Sequence, residues 1–100
     1  FQPFTYSRTK LLLENFKRVL KKADSVIVCP IMGGREKNVY GVSSLDIVKG
    51  LDNAVYANNF KEAAERAIKC TRKGGCIITV GCGNVYEAGK IIVSDSVKSE

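Results

Sequence analysis

The run Val80-Gly81-Cys82-Gly83-Asn84-Val85-Tyr86-Glu87-Ala88-Gly89-Lys90-Ile91 has the order strand, glycine turn, helix that aims backbone N–H groups at a phosphate. It departs from the dinucleotide fingerprint, because Tyr86 takes the third-glycine place and no acidic strand end follows. It departs from the nucleotide P-loop as well. Five residues separate Gly83 from Gly89, and Ile91 stands where a metal-binding hydroxyl is needed. What remains is a tight turn whose glycines let the backbone approach something closely; a plain strand-to-helix corner fits the residues equally well.

Arg8 is a second candidate. It follows a strand end and opens a helix, so its guanidinium can reach the crevice beyond the strand and take a carboxylate bidentately. The alternative is a surface arginine, although the helix dipole disfavours a cation at a helix start. The chain has no histidine, which removes the base that a Cys–His or Ser–His–Asp hydrolase needs. Ser43 and Ser44 read as helix caps.

The four cysteines, Cys29, Cys70, Cys76 and Cys82, form no CxxC pair, and with no histidine the usual zinc spacings are absent. Cys29 and Cys76 sit in apolar strand-like runs, where cysteine acts as a small hydrophobe. Reduced thiols in a cytoplasmic protein are expected.

Sixteen Lys and Arg against ten Asp and Glu give a net charge of +6. The basic groups Lys17, Arg18, Lys21, Lys22 and Arg66, Lys69, Arg72, Lys73 recur at helical spacing opposite apolar positions. That is the pattern of a solvated helix face, and no aromatic-rich strand of the RNA-binding type accompanies it. Nucleic acid is therefore not the expected partner. At 100 residues, with 45% hydrophobic, the chain can bury one core. No apolar run nears the roughly 20 residues that span a bilayer, so no membrane association is expected.

These residues must be held by secondary structure. Phe1–Pro3 reads as a strand end. A helix follows from about Thr9, with Leu12, Leu13, Phe16, Val19, Leu20 and Ala23 on its apolar face and Ser7 or Thr9 as cap. Ser25–Ile31 is a short β-branched run that fits a buried strand. After a polar loop at Met32–Gly41, a helix is expected over Ser44–Gly50 with Ser43 as N-cap. A strand at Ala54–Ala57 precedes a helix capped by Asn58 or Asn59, with Phe60, Ala63, Ala64, Ala67 and Ile68 inward. Cys76–Val80 reads as a buried strand, Val85–Ile92 as a last helix, and Ser94–Glu100 as a frayed tail.

Strands alternating with helices predict an α/β domain: three-layer, Rossmann-like, with a mostly parallel sheet that lacks its first strands. Ligands of such sheets gather beyond the strand C-termini, here at Gln2–Arg8, Met32–Gly41, Ala57–Asn59 and Gly81–Asn84.

Three stretches carry a family resemblance. Phe1-Gln2-Pro3-Phe4-Thr5-Tyr6-Ser7-Arg8-Thr9 resembles the strand-end signature of the Mur ligase family at its L-alanine-adding step. Arg35-Glu36-Lys37-Asn38 with Gly41-Val42-Ser43-Ser44 is similar to the family's Ala-Arg-Glu loop and helix start. Gly81-Cys82-Gly83-Asn84-Val85 is similar to its glycine turn. The match runs in order from Phe1 to about Ile92.

The resemblance implies that residues 1–93 are an N-terminally truncated C-terminal domain that presents the amino acid, with 94–100 as tail. It implies N-terminal and central domains as partners, UDP-N-acetylmuramate and L-alanine as substrates, and ATP with Mg²⁺ bound mainly by the central domain. The implied chemistry activates the muramate carboxyl as an acyl phosphate, which the alanine amine attacks. Arg8 would hold the alanine carboxylate, Tyr6, Ser7 and Thr9 would shape that loop, and Gly83 and Asn84 would face the same crevice. Phe4 stands where the family has His, which removes a polar contact there. The family's Asp-Asp-Tyr-Gly-His-His-Pro segment is absent. The isolated chain is not expected to make ATP-dependent peptide bonds. The other reading of the residues is a small basic α/β module that binds a nucleotide phosphate or nucleic acid at Gly81–Asn84.

Overall fold

The β-branched run after Asp24 forms a strand, β1 (Val26–Val28), which pairs in parallel with β2 (Ala54–Tyr56), Val26 opposite Ala54 and Val28 opposite Tyr56. These coordinates are a computed structural model that describes residues 1–99, with side chains through Asp95. Among the described residues five helices accompany the pair: α1 (Tyr6–Leu11), α2 (Leu13–Leu20), α3 (Ser44–Val48), α4 (Phe60–Cys70) and α5 (Tyr86–Ser99). The chain is thus α/β, with a short parallel two-stranded sheet.

Alternation along β1 divides its packing. Val26 and Val28 join Ile47 and Ala54 in one cluster, against which Phe1, Phe16 and Leu20 pack. Cys29 joins Ala57, Ala63 and Val85 in the other, with Ile27 and Phe60 against it. Successive strand residues point to opposite faces, so one short strand serves two clusters. Phe1 and Phe16 meet with ring centroids 5.3 Å apart at 59°, tying the first residue to α2.

Phe1–Pro3 lies alongside β1. The Phe1 nitrogen donates to the Ile27 carbonyl (2.8 Å), and Cys29 N–H donates back to the Phe1 carbonyl (2.9 Å). That reciprocal step of two residues is the bond pattern of a parallel pair. On the other side, Gln2 N–H donates to the Val80 carbonyl (3.0 Å).

Several local signals act as read. Ser43 caps α3 in a full capping box with Asp46, and Asn59 rather than Asn58 caps α4, its Oδ1 accepting from Glu62 N–H at 2.8 Å. Asn58 instead binds the Glu62 carboxylate. Ala63, Ala64 and Ala67 are buried, whereas Ile68, expected inward, is exposed.

Four expectations need correction. The first helix starts at Tyr6, earlier than Thr9, because Thr5 caps it: its Oγ1 accepts from Arg8 N–H at 3.2 Å, a role read for Ser7 or Thr9. That helix is also broken. Leu12 sits at φ −103°, ψ 15° and separates α1 from α2. Val19, expected on the apolar face, is 59% exposed. Cys76–Val80 is neither a strand nor buried; Ile78 is 74% exposed and Cys76 is exposed. The Gln2 bond to Val80 is the run's one backbone link to a strand-like neighbour among the described residues, too little for a ladder. Finally, α5 continues to Ser99, through most of the stretch read as a tail; Glu100 lies outside the described residues.

Among the described residues no helix is long and apolar enough to cross a membrane. Arg18, Lys21, Lys22 and Lys69 are exposed, and Arg66 pairs with Glu62 one turn back at 3.2 Å.

Candidate functional site

Beyond β1 the chain keeps company with the strand end at Phe1–Phe4. Met32 N–H donates to the Pro3 carbonyl (3.0 Å) and Gly33 N–H to the Phe4 carbonyl (2.9 Å). These two bonds lay the start of the Met32–Gly41 loop beside the residues that lead into α1. Gly33 has φ +83°, and a Cβ there would stand 2.9 Å from the Tyr6 ring. Glycine therefore serves two ends at this position: the left-handed backbone and the seat for Tyr6.

Ser7 makes the next link. Its backbone N–H donates to Glu36 Oε1 (3.1 Å) and its hydroxyl to Oε2 (2.6 Å). The Ser7 hydroxyl, then its amide, hold the Glu36 carboxyl below the ordinary carboxylate range, with help from the Tyr6 amide. Those amides belong to the first turn of α1, where the helix dipole favours an anion.

The loop is fastened beyond Glu36 as well. Asn38 Nδ2 donates to the Val42 carbonyl (2.8 Å), and Val42 N–H returns a bond to Asn38 Oδ1 (3.3 Å). Ser44, buried at the start of α3, donates its hydroxyl to the Cys29 carbonyl. Strand end, loop and helix start thus form one braced unit.

The remaining sequence-predicted residues divide. Arg8 is exposed, and among the described residues no hydrogen bond or ion pair engages its guanidinium. Thr9 is buried, with its hydroxyl donating to the Thr5 carbonyl at 2.6 Å, so it steadies α1 from inside. Asn84 is exposed; its carbonyl accepts from Glu87 N–H (3.0 Å) at the entry to α5. No hydrogen bond joins Asn84 to Arg8 among the described residues.

The glycine turn approaches the protein itself. A Cβ on Gly81 would stand 3.1 Å from the Gln2 carbonyl oxygen, and one on Gly83 would collide with Met32 Sδ and lie 3.2 Å from Gln2 Oε1. The close approach that these glycines permit is therefore to Gln2 and Met32. As a phosphate cradle the turn does not fit, since the space that Gly83 opens is filled by Met32. No group of three or more Cys, Asp or Glu stands together to hold a metal among the described residues.

Gln2, Met32 and Glu36 belong to the unit but were not singled out as site residues from the sequence. Gln2 is 6% exposed; its Nε2 donates to the Pro30 carbonyl (3.4 Å), and its Oε1 has no hydrogen-bond partner. A buried polar atom of that kind is unusual in folded proteins. The available signal was a glutamine set between two apolar strand-end residues, Phe1 and Pro3.

No family model matches the chain. Curated proteins do. A UDP-N-acetylmuramate–L-alanine ligase of Caldicellulosiruptor saccharolyticus is 42% identical over 99% of this chain and 23% of its own length. The ligase of the same name from Agathobacter rectalis is 44% identical over 90% of this chain and 20% of its own length. That of Caldanaerobacter subterraneus is 38% identical over 98% and 22%. The chain spans about one fifth of the length of the relatives it matches, and over almost all of its own length it is homologous to a segment of the UDP-N-acetylmuramate–L-alanine ligases.

Proposed function

We propose that the chain is the amino-acid-presenting, C-terminal part of an ATP-dependent ligase that joins L-alanine to UDP-N-acetylmuramate in peptidoglycan precursor synthesis. Its architecture on this reading is a three-layer, Rossmann-like domain whose sheet is completed by the rest of the enzyme. The observation that carries the reading is the meeting of two separate motifs: Ser7 of the strand-end signature binds Glu36 of the loop signature. That contact gives the two motifs a shared structural purpose, with Arg8 exposed beside it.

Arg8 then supplies a planar, permanently charged fork for the alanine carboxylate. Tyr6 and Ser7 hold the Met32–Glu36 loop in place around it, and Thr9 stiffens the helix that carries it. Gly83 lets the turn before α5 sit against Met32 of the same loop, with Asn84 exposed at its rim. Nucleotide and metal belong to other parts of the enzyme, whose closure onto this domain would bring the amine of the held alanine to the activated carboxyl. The setting proposed is the bacterial cytoplasm.

The test is Arg8→Ala in the full-length ligase that contains this chain. The KM for L-alanine should rise at least tenfold, with kcat changed much less, because a contact made equally in ground and transition states is lost. Arg8→Lys should recover only part of it. An unchanged alanine KM in both variants would overturn the assignment of Arg8. Salt-sensitive binding of RNA or DNA by the 100-residue chain would favour the basic-module reading instead.

A further inference from the structure

The two contacts that fasten the Met32–Gly41 loop to α1 fall at the two ends of one turn. Glu36 N–H donates to the Gly33 carbonyl (3.1 Å), which closes Gly33–Glu36 with Arg35 at its second corner. Gly33 lies against the Tyr6 ring, and Glu36 bonds to Ser7, the next residue of α1. The turn is thus pinned at both ends to consecutive residues. Arg35 precedes Glu36 and Arg8 follows Ser7, so each arginine stands one residue from the same contact.

Charge around that contact is one-sided. Residues 1–13 and 25–45 hold Arg8, Lys10, Arg35 and Lys37, all exposed, against a single acid, Glu36. Glu36 is the nearest carboxylate in the chain to Arg35, yet Ser7 already engages it, with its amide on one oxygen and its hydroxyl on the other. The Tyr6 amide adds to them. Among the described residues no ion pair or hydrogen bond holds the Arg8 or the Arg35 guanidinium. Two guanidiniums are therefore anchored at one joint whose own anion is spoken for.

We propose that Arg35 supplies a second guanidinium to the carboxylate of the incoming amino acid, an assignment that rests on the reading of Arg8 as the first. A carboxylate offers about four lone-pair sites, and one guanidinium fork fills two of them. The fork of Arg35 fills the other two. Once water is excluded from the site, a carboxylate held by Arg8 alone would keep unsatisfied acceptors, which is costly. The pinned turn matters for the same reason: a fork binds well only when its backbone is held in place before the ligand arrives. Glu36 acts in this arrangement as a strut between the two segments, and Ser7 keeps it from pairing with either arginine.

The experiment measures the KM for L-alanine in the full-length ligase that contains this chain, for Arg35→Ala, Arg35→Lys and Lys37→Ala. Arg35 is exposed and unbonded, so its truncation should leave the fold intact. Arg35→Ala should raise the alanine KM about fivefold or more with kcat changed much less, and Arg35→Lys should recover only part. Lys37→Ala removes the same charge two residues away from a side chain that presents no fork, and should change that KM by less than about twofold. Guanidinium ion at low concentration should restore part of the loss in Arg35→Ala and leave the parent enzyme unaffected.

An unchanged alanine KM in Arg35→Ala overturns the proposal. Equal rises in Arg35→Ala and Lys37→Ala overturn it too, by reducing the effect to general charge. A rise confined to the KM for ATP or for UDP-N-acetylmuramate would give Arg35 to a phosphate instead. Arg8→Ala separates the two readings: a raised alanine KM there, with none in Arg35→Ala, removes only the second guanidinium, whereas no rise in either removes Arg8 as well.

Discussion

Ser7 and Glu36, 29 positions apart, are joined by two hydrogen bonds to the two oxygens of one carboxylate, at 3.1 and 2.6 Å. The contact makes the first turn of α1 and the Met32–Gly41 loop one unit. It does so with a charge that the helix N-terminus favours. Since Tyr6 packs on Gly33 a few residues earlier, the loop is held at two points before it turns toward α3.

This contact predicts a pH dependence. The folded-state Glu36 carboxyl titrates below its unfolded value of about 4.3, so its contribution is fully present above that value. It is lost as pH falls through the depressed folded value. Glu36→Gln should therefore lower Tm at neutral pH, and the gap from the parent chain should close on acidification. Thermal melts of both proteins across that window check it; a gap independent of pH would mean that the charge contributes nothing.

Phe4 makes a complementary case. It is 39% exposed, and its carbonyl is engaged by Gly33 N–H whatever the side chain. Phe4→His should accordingly change stability by less than about 0.5 kcal/mol, as for most exposed substitutions. On the proposed function, Phe4→His in the full-length ligase should lower the KM for L-alanine. A large fall in Tm would instead reveal that Phe4 packs in a way its exposure does not convey.

How much of this was legible in the sequence depended on range. The Ser43 cap of α3 was readable and the cap of α4 was narrowed to Asn58 or Asn59, because each lies within four residues of what it caps. The β-branched run at Val26–Val28 was readable for the same reason. The break at Leu12 was not, since the three- and four-residue spacing runs through it unchanged. Cys76–Val80 has the composition of a buried strand, but burial is decided by neighbours, and its only strand-like one among the described residues is Gln2. Within the site, Arg8 and the glycine turn stood out by residue type. The partners that explain the turn, Gln2 and Met32, come from distant segments, and no local spacing joins them to it.

Ser44 tests the bracing of the loop from its far end. The hydroxyl is buried and donates to the Cys29 carbonyl at the end of β1. Ser44→Ala leaves that carbonyl without its donor, which costs about 1–3 kcal/mol. For a domain of this size, each kcal/mol lowers Tm by roughly 4–8 °C. Chemical denaturation should show the loss with an unchanged m-value; a loss below about 0.5 kcal/mol would mean that water replaces the hydroxyl.

Gly83 and Met32 offer the sharpest test of the turn. Gly83 is not among the glycines with positive φ, so alanine there meets no backbone strain and the whole cost is steric. The new methyl would collide with Met32 Sδ and press on Gln2 Oε1, 3.2 Å away. Gly83→Ala should destabilise by about 1–3 kcal/mol, the usual range for overpacking. Met32 is 44% exposed and contributes little to the core, so Met32→Ala alone should cost well under that. In the double variant the obstruction is gone, and most of the loss should be recovered, a coupling of roughly 0.5–3 kcal/mol. Additive losses would move the obstacle to the buried Gln2 amide. In that event Gly83→Ala would remain costly whatever stands at position 32, and Gln2 rather than Met32 would set the position of the turn before α5.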